Sequence, residues 1–382
     1  MDGLPVSVSE DNEHLGLIVS NVSEEVKNVD AKLIKCRGAL YKLLGPALSA
    51  KCQLNPSLKV HLFRTYIAPI GRSGLSAMTI RKEHLEPLNI FHRKVLRGIL
   101  GLSDRAPVPA LYFMTGELPF EAGIHRDMFG LFHNVWSNKQ TKFHLIIKYL
   151  LYHSPTNSHT WARHIRNTAF TYNIEDPNTV IKNSPPSKKE YASYVVTKIT
   201  VYHEKELRAQ AENNSKMKFL NVNLKGLTGR PHPNLNHIIS TRDVQKARCH
   251  TKFLCDDLYT YEKKAKYQGG SPFCRLCTEQ STENENNIHI IATCKAYSDI
   301  RNDITEKIIH VCKEAIPAFN TDHIMQDKTL FTQFILDCTS MNLPHRINPE
   351  SDLFISVLKL SRDLCFGISK LRTEKLKILQ LN

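Results

Sequence analysis

Four residues constrain this 382-residue chain more than any others: Cys274 and Cys277, then eleven residues, His289, four more residues and Cys294. A two-residue gap between cysteines lets both sulfurs turn toward one point from a tight loop. The four-residue gap between His289 and Cys294 sets those side chains about one helical turn apart, so both can face that point. Three thiolates and one imidazole make a closed tetrahedron that suits Zn2+ and leaves no position for a reactive water. The spacing predicts one structural zinc ion on Cys274, Cys277, His289 and Cys294. A paired-zinc protein-binding module such as a RING needs about eight ligands, and a single set is visible here. The loop 278–288 contains Glu279, Glu283 and Glu285 with little apolar material, so metal is expected to supply its missing constraint.

The remaining seven of ten cysteines show no ligand spacing and read as small core residues. Nothing at the N-terminus reads as a targeting segment, since Met1 to Glu10 carries Asp2 and Glu10 and no basic start before an apolar run. The longest apolar run, Phe143 to Tyr152, is broken by His144 and Lys148 and falls short of the ~20 residues a membrane span needs. An intracellular chain, nuclear or cytoplasmic, with no membrane partner is the expectation, and reduced thiols fit it. An apolar fraction of 41% is enough for buried cores. A net charge of +14 and an isoelectric point near 9.2 favour polyanions such as RNA or DNA.

Helical spacing dominates the chain. Glu13 to Ser20 reads as a short strand or half a hairpin. From Ser23 the series Val26, Val29, Leu33, Cys36, Leu40 and Leu44 predicts a helix stopped by Gly45-Pro46. A second helix is expected after Asn55-Pro56, through Leu58, Leu62, Tyr66 and Ile67. In Glu83 to Leu100, Leu88, Phe91, Val95 and Ile99 form an apolar stripe, and Arg93, Lys94 and Arg97 form a separate basic face. That face is either solvated or lies along a nucleic-acid backbone. The proline-rich stretch 176–189 is the best candidate boundary, followed by a polar helix from Lys189 to Asn213 and a break at 226–233. Two further helices are expected through Tyr297 to Ala315 and Leu353 to Leu371, the second after a loop around Pro344 and Pro349. The fold class is mainly α, with few strands.

The acidic metal loop should repel phosphates, so nucleic-acid contacts are expected on its flanks: Arg242, Lys246, Arg248 and Lys252, then Lys263, Lys264 and Lys266, with Lys295 and Arg301 beyond. Tyr259, Tyr261 and Tyr267 either stack on bases or pack. Asp256 and Asp257 invite a polymerase reading, in which paired carboxylates hold two magnesium ions. They follow Leu254 and Cys255 in a basic, helical stretch without an accompanying carboxylate cluster, so the end of a solvated helix is the better account. No nucleophile triad, phosphate loop or dinucleotide glycine motif is present.

Several stretches together resemble the C-terminal half of a non-LTR retrotransposon reverse transcriptase. His14-Leu15-Gly16 is similar to the Tyr-Leu-Gly of the primer-grip hairpin, with His for Tyr. Ala39-Leu40-Tyr41, Tyr66-Ile67-Ala68-Pro69, Phe91 to Arg97, and Thr115-Gly116-Glu117-Leu118-Pro119 follow in order. Asp243 to Ala247 then precedes the Cys/His cluster, and Tyr297 to Arg301 follows it. The Tyr-Gly expected after Pro69 is missing, with Gly71-Arg72-Ser73-Gly74 in its place. The resemblance implies a primer-grip remnant at 1–20, a thumb-like helical bundle at 21–175, a linker and polar helix at 176–229, a basic segment with a small CCHC zinc module at 230–310, and C-terminal helices at 311–382. The fingers and catalytic palm of that family lie upstream of the primer grip. The implied function is therefore a non-catalytic, nucleic-acid-binding fragment of an RNA-directed DNA polymerase, with no catalytic residue and no small-molecule substrate. A protein-interaction scaffold or a decayed element remain alternatives, and oligomeric state stays open.

Overall fold

The computed structural model describes residues 11–48, 54–155, 158–224, 226–277, 282–317, 322–341 and 348–381. The readings placed on residues 1–10, Cys52, Glu279 and Pro344 lie outside the described residues. The chain is mainly helical, with a single two-stranded sheet among the described residues. Strands β1 (Asp11–His14) and β2 (Leu17–Ser20) form an antiparallel hairpin with Asp11 opposite Ser20 and His14 opposite Leu17. Leu15 and Gly16 both have positive φ, at 50° and 77°, the two-residue turn whose twist matches the flanking strands. Asn28 holds the hairpin: its Oδ1 accepts from the Ile18 N–H at 2.8 Å, and its Nδ2 donates to the Ile18 carbonyl at 2.7 Å.

Helices α1 (Glu24–Leu48), α2 (Pro56–Leu62), α3 (Ala68–Arg72), α4 (Lys82–Leu100), α5 (Val108–Thr115) and α6 (Phe120–Ser137) follow, then α7 (Lys142–His153), α8 (Trp161–Thr171), α9 (Pro177–Val180) and α10 (Lys188–Glu212). Beyond them come α11 (Thr241–Leu254), α12 (Tyr261–Gln268), α13 (Ser298–Ala315), α14 (Asp322–Gln326), α15 (Lys328–Asp337) and α16 (Asp352–Leu381). Two expectations need correction. The first helix passes through Gly45-Pro46 to Leu48, because proline already holds a helical φ and costs its helix one hydrogen bond near the end. In the second, Phe63 to Ile67 forms a π-helical turn. The buried face runs through Val60, Phe63 and Ile67, three and four residues apart, so Leu58, two residues before Val60, and Tyr66 are exposed.

The chain divides into two compact units: 1–46, 60–95 and 118–206 form the first; 47–59, 96–117 and 207–382 form the second. In the first unit, Met128, Phe129, Phe132 and Trp136 of α6 pack with Ile147 and Leu151 of α7, Ile165 of α8 and Tyr191, Val195 and Ile199 of α10. The proline-rich stretch offered by sequence as a boundary is interior to this unit. Pro177, Val180 and Ile181 are buried, and the Trp136 indole N–H donates to the Asn183 carbonyl at 2.9 Å.

In the second unit, α16 packs against α11, α13 and α15. Phe354, Val357, Leu364 and Ile368 are buried with Val244 and Phe253 of α11, Ile304 and Ile308 of α13, and Phe334 and Ile335 of α15. Gly116 ends α5 at φ 68°. A Cβ there would lie 2.1 Å from the Arg230 carbonyl oxygen, so both the backbone angle and the close approach require glycine. No described helix is long and apolar enough to cross a membrane.

Candidate metal centre

Cys274, Cys277, His289 and Cys294 converge in the second unit, with their donor atoms all within 4.8 Å of one another. Cys277 Sγ lies 3.4 Å from both His289 Nε2 and Cys294 Sγ, and Cys274 Sγ lies 3.9 Å from Cys294 Sγ. The backbone builds this convergence in two pieces. Phe273 and Asn284 form an antiparallel bridge, with the Cys274 N–H donating to the Glu283 carbonyl at 3.1 Å and the Glu285 N–H to the Pro272 carbonyl at 2.9 Å. This pins the Cys274–Cys277 turn over the segment that leads into His289. The second piece, His289 to Thr293, is a π-helical turn, and the Cys294 N–H donates to the His289 carbonyl at 2.7 Å. A π turn closes five residues apart and aligns His289 with Cys294; the ordinary helical turn expected from the spacing would set them about 140° apart round the axis, so that expectation is corrected.

The imidazole is oriented. His289 Nδ1 lies 2.6 Å from Glu283 Oε2, and the Thr293 hydroxyl donates to the same carboxylate oxygen at 2.9 Å. With Nδ1–H held by the carboxylate, Nε2 presents its lone pair to the sulfurs, the arrangement common to metal-bound histidines. Thr293, His289 and Lys328 together hold the Glu283 carboxyl down at about 2. The bond between Cys274 and Cys294 lowers the Cys274 thiol and raises the Cys294 thiol, so one proton is shared across the pair. A divalent cation would let both sulfurs ionise. Four donors, all from Cys and His, leave no position for substrate, so the arrangement suits a structural ion.

The loop is not as unsupported as its composition suggests. Glu285 is fully buried, and its carboxylate takes two bonds from Arg372 of α16, at 3.1 and 2.9 Å, and one from the Tyr261 N–H at 2.7 Å. Asn287 Nδ2 donates to the Phe253 carbonyl at 2.8 Å. Glu285 is thus engaged inside the second unit, whereas Glu283 remains exposed beside His289 and Lys328. Sequence had no signal for Arg372, which lies 87 positions away from its partner. Arg301, offered as a nucleic-acid contact, instead donates to the Cys294 carbonyl at 3.0 Å.

The predicted nucleic-acid residues scatter. Arg248 is buried and is withdrawn as a surface contact; its aliphatic stem fills the space over Gly101. Lys246 pairs with Asp363, and Arg93 with Glu86. Lys263 binds Asp256 at 2.8 Å, and Arg97 donates to the Ala106 carbonyl at 3.3 Å. Lys252 is half-buried, while Lys94, Arg242, Lys264, Lys266 and Lys295 are exposed. Long basic side chains on helices satisfy nearby carboxylates and carbonyls first, a use that spacing alone does not reveal. The Asp256-Asp257 pair sits past the end of α11, and Asp257 accepts from the Ser103 backbone N–H at 2.6 Å. Of the cysteines read as core, Cys36, Cys255, Cys312, Cys338 and Cys365 are buried and Cys249 is half-buried. No protein-family model, curated protein or solved structure matches the chain.

Proposed function

We propose that the chain is a non-catalytic, nucleic-acid-binding protein of non-LTR reverse-transcriptase origin, with one structural zinc ion on Cys274, Cys277, His289 and Cys294. The four converging donors carry the zinc assignment, because three sulfurs and one nitrogen in a closed set favour zinc over harder cations. Nucleic-acid binding rests on the net charge of +14 together with the exposed cations of α4 and α12. The reverse-transcriptase origin rests on the ordered sequence resemblance. Asp256 and Asp257 are engaged with Lys263 and Ser103, which favours a structural role for them over metal-assisted nucleotide transfer.

The test is fluorescence anisotropy of labelled RNA and DNA oligonucleotides across a salt series. Affinity should fall steeply as salt rises, with a slope reporting the number of phosphates neutralised. Absence of binding to either polymer at low salt would sink the reading. Metal analysis accompanies it: about one zinc per chain is expected, lost in Cys277→Ser. A protein-interaction scaffold is the second reading, favoured by the exposed Phe143, Leu145, Ile146, Tyr149 and Tyr152 of α7. Tyr149→Glu should abolish partner capture under that reading and leave oligonucleotide affinity unchanged under the first.

A further inference from the structure

An open cleft of about 340 Å3 lies within the second unit, lined by the 103–105 turn, Lys216 and the residues around α12. Phenol rings form part of its wall: Tyr259 is 48% exposed and Tyr267 is 50% exposed. The Arg105 guanidinium lies 5.1 Å from the centre of the Tyr267 ring, and the Lys266 ammonium 5.9 Å from it. Tyr261 is different, being half-buried with its N–H on Glu285 and Arg275 over its ring. Packing has taken one of the three tyrosines and left two facing the cleft.

The cleft also contains Asp104, Asp256 and Asp257, a charge that would oppose an anion. The last two are already engaged: Asp256 with Lys263 at 2.8 Å, Asp257 with the Ser103 N–H and hydroxyl at 2.6 and 2.5 Å. Cations lie at the rim. Lys216 Nζ donates to the Arg105 carbonyl at 2.9 Å, and Lys266 is exposed beside the Tyr267 ring. Exposed aromatic faces beside cations attract a flat group that carries anions on either side. The volume is at the lower end of small-ligand sites, about 300 Å3 and upward, which suits one base. A duplex keeps its bases stacked inside and offers no free face to the rings.

We propose that this cleft binds an unstacked base of single-stranded nucleic acid on Tyr259 and Tyr267, with flanking phosphates against Arg105, Lys216 and Lys266. The site deepens the nucleic-acid reading and rests on it. Gln268, whose side-chain oxygen accepts the Tyr259 hydroxyl at 2.8 Å, holds that ring in place.

Anisotropy with a labelled twelve-nucleotide oligo-U, against the same sequence in duplex form, tests the site on the metal-loaded 382-residue chain. Tyr267→Ala and Tyr259→Ala should each weaken single-strand binding about tenfold, while Tyr267→Phe stays within about twofold because the ring is kept. Duplex binding should not change. Alanine variants that retain their far-ultraviolet spectrum, metal content and wild-type oligo-U affinity would overturn the cleft while leaving the nucleic-acid reading intact. Wild-type protein with no affinity for oligo-U or duplex would overturn both. Should an alanine variant fail to fold, photo-crosslinking of wild type with 4-thiouridine oligonucleotide decides: adducts at residues 259–268 support the site, and adducts confined elsewhere reject it.

Discussion

His92 and His289 are both enclosed, and their surroundings give them opposite roles. His92, in the first unit, stacks on Phe63 with ring centres 5.0 Å apart and meets Phe120 edge-on at 5.9 Å. Burial pushes its pKa down to about 3, so it stays neutral as part of an aromatic core. His289, in the second unit, has one nitrogen held by Glu283 and the other facing three sulfurs. The first unit is assembled by apolar and aromatic contact. The described residues of the metal-site segment, 271–277 and 282–301, are assembled by converging donors and buried polar anchors. With eighteen histidines in the chain, residue type alone could not separate these roles; the neighbours do.

Metal removal should break the contrast most strongly. Binding energy on the order of 10 kcal/mol is coupled to folding in small structural zinc sites. A chelator, or Cys277→Ser, should therefore expose residues 271–301 to hydrogen exchange. Fluorescence of Trp136 and Trp161, which both lie in the first unit, should stay unchanged. Equal loss of protection across both units would erase the distinction.

Acid should act next, and in the first unit without any metal. His92 and His203 are lowered from 6.5 to about 3 and about 4 by burial. Between those values the unfolded chain binds more protons, so stability is complete above pH 6.5 and is lost as pH falls below it. The loss is about 1 kcal/mol per pH unit for each histidine. Denaturant unfolding followed by tryptophan fluorescence at neutral pH and at about pH 4.5 measures this; a midpoint that does not move would contradict it. His250, lowered to about 3 in the second unit, should add to acid loss there.

Arg372→Met sharpens the comparison from the other side. It leaves the fully buried Glu285 without its cation, a change that costs about 3–5 kcal/mol. The second unit alone should lose stability, seen as a lower unfolding midpoint with unchanged tryptophan signal. The smallest effect is expected from Glu283→Gln, which keeps the shape but removes the charge orienting His289. Metal affinity should fall about tenfold to a hundredfold, read by competition with a chromophoric chelator. Unchanged affinity would mean that the carboxylate does not position the ring.

Much of the helical fold was legible because apolar residues three and four apart must share a face. Val29, Leu33, Cys36, Leu40 and Leu44 all proved buried, and so did Leu88, Phe91, Val95 and Ile99. The pattern failed at Val26, near the start of the first helix, and at Leu58 and Tyr66, where the buried face runs instead through Val60, Phe63 and Ile67. The metal ligands were legible because they lie close in sequence and are chemically distinctive. The basic face was not. Whether a lysine meets solvent or a carboxylate depends on what packs beside it, as Lys246 with Asp363 and Arg248 over Gly101 illustrate.

Sequence by itself determined that this chain is mainly helical and that four donors between 274 and 294 can meet. Those properties follow from local periodicity and short-range spacing. Tertiary structure decided how they meet: the π turn that aligns His289 with Cys294, the Glu283 carboxylate that turns the ring, and Arg372 reaching back to Glu285. It also decided which two tyrosines face the cleft. Such contacts join residues far apart in the chain, and their partners are chosen by packing, which no local pattern records.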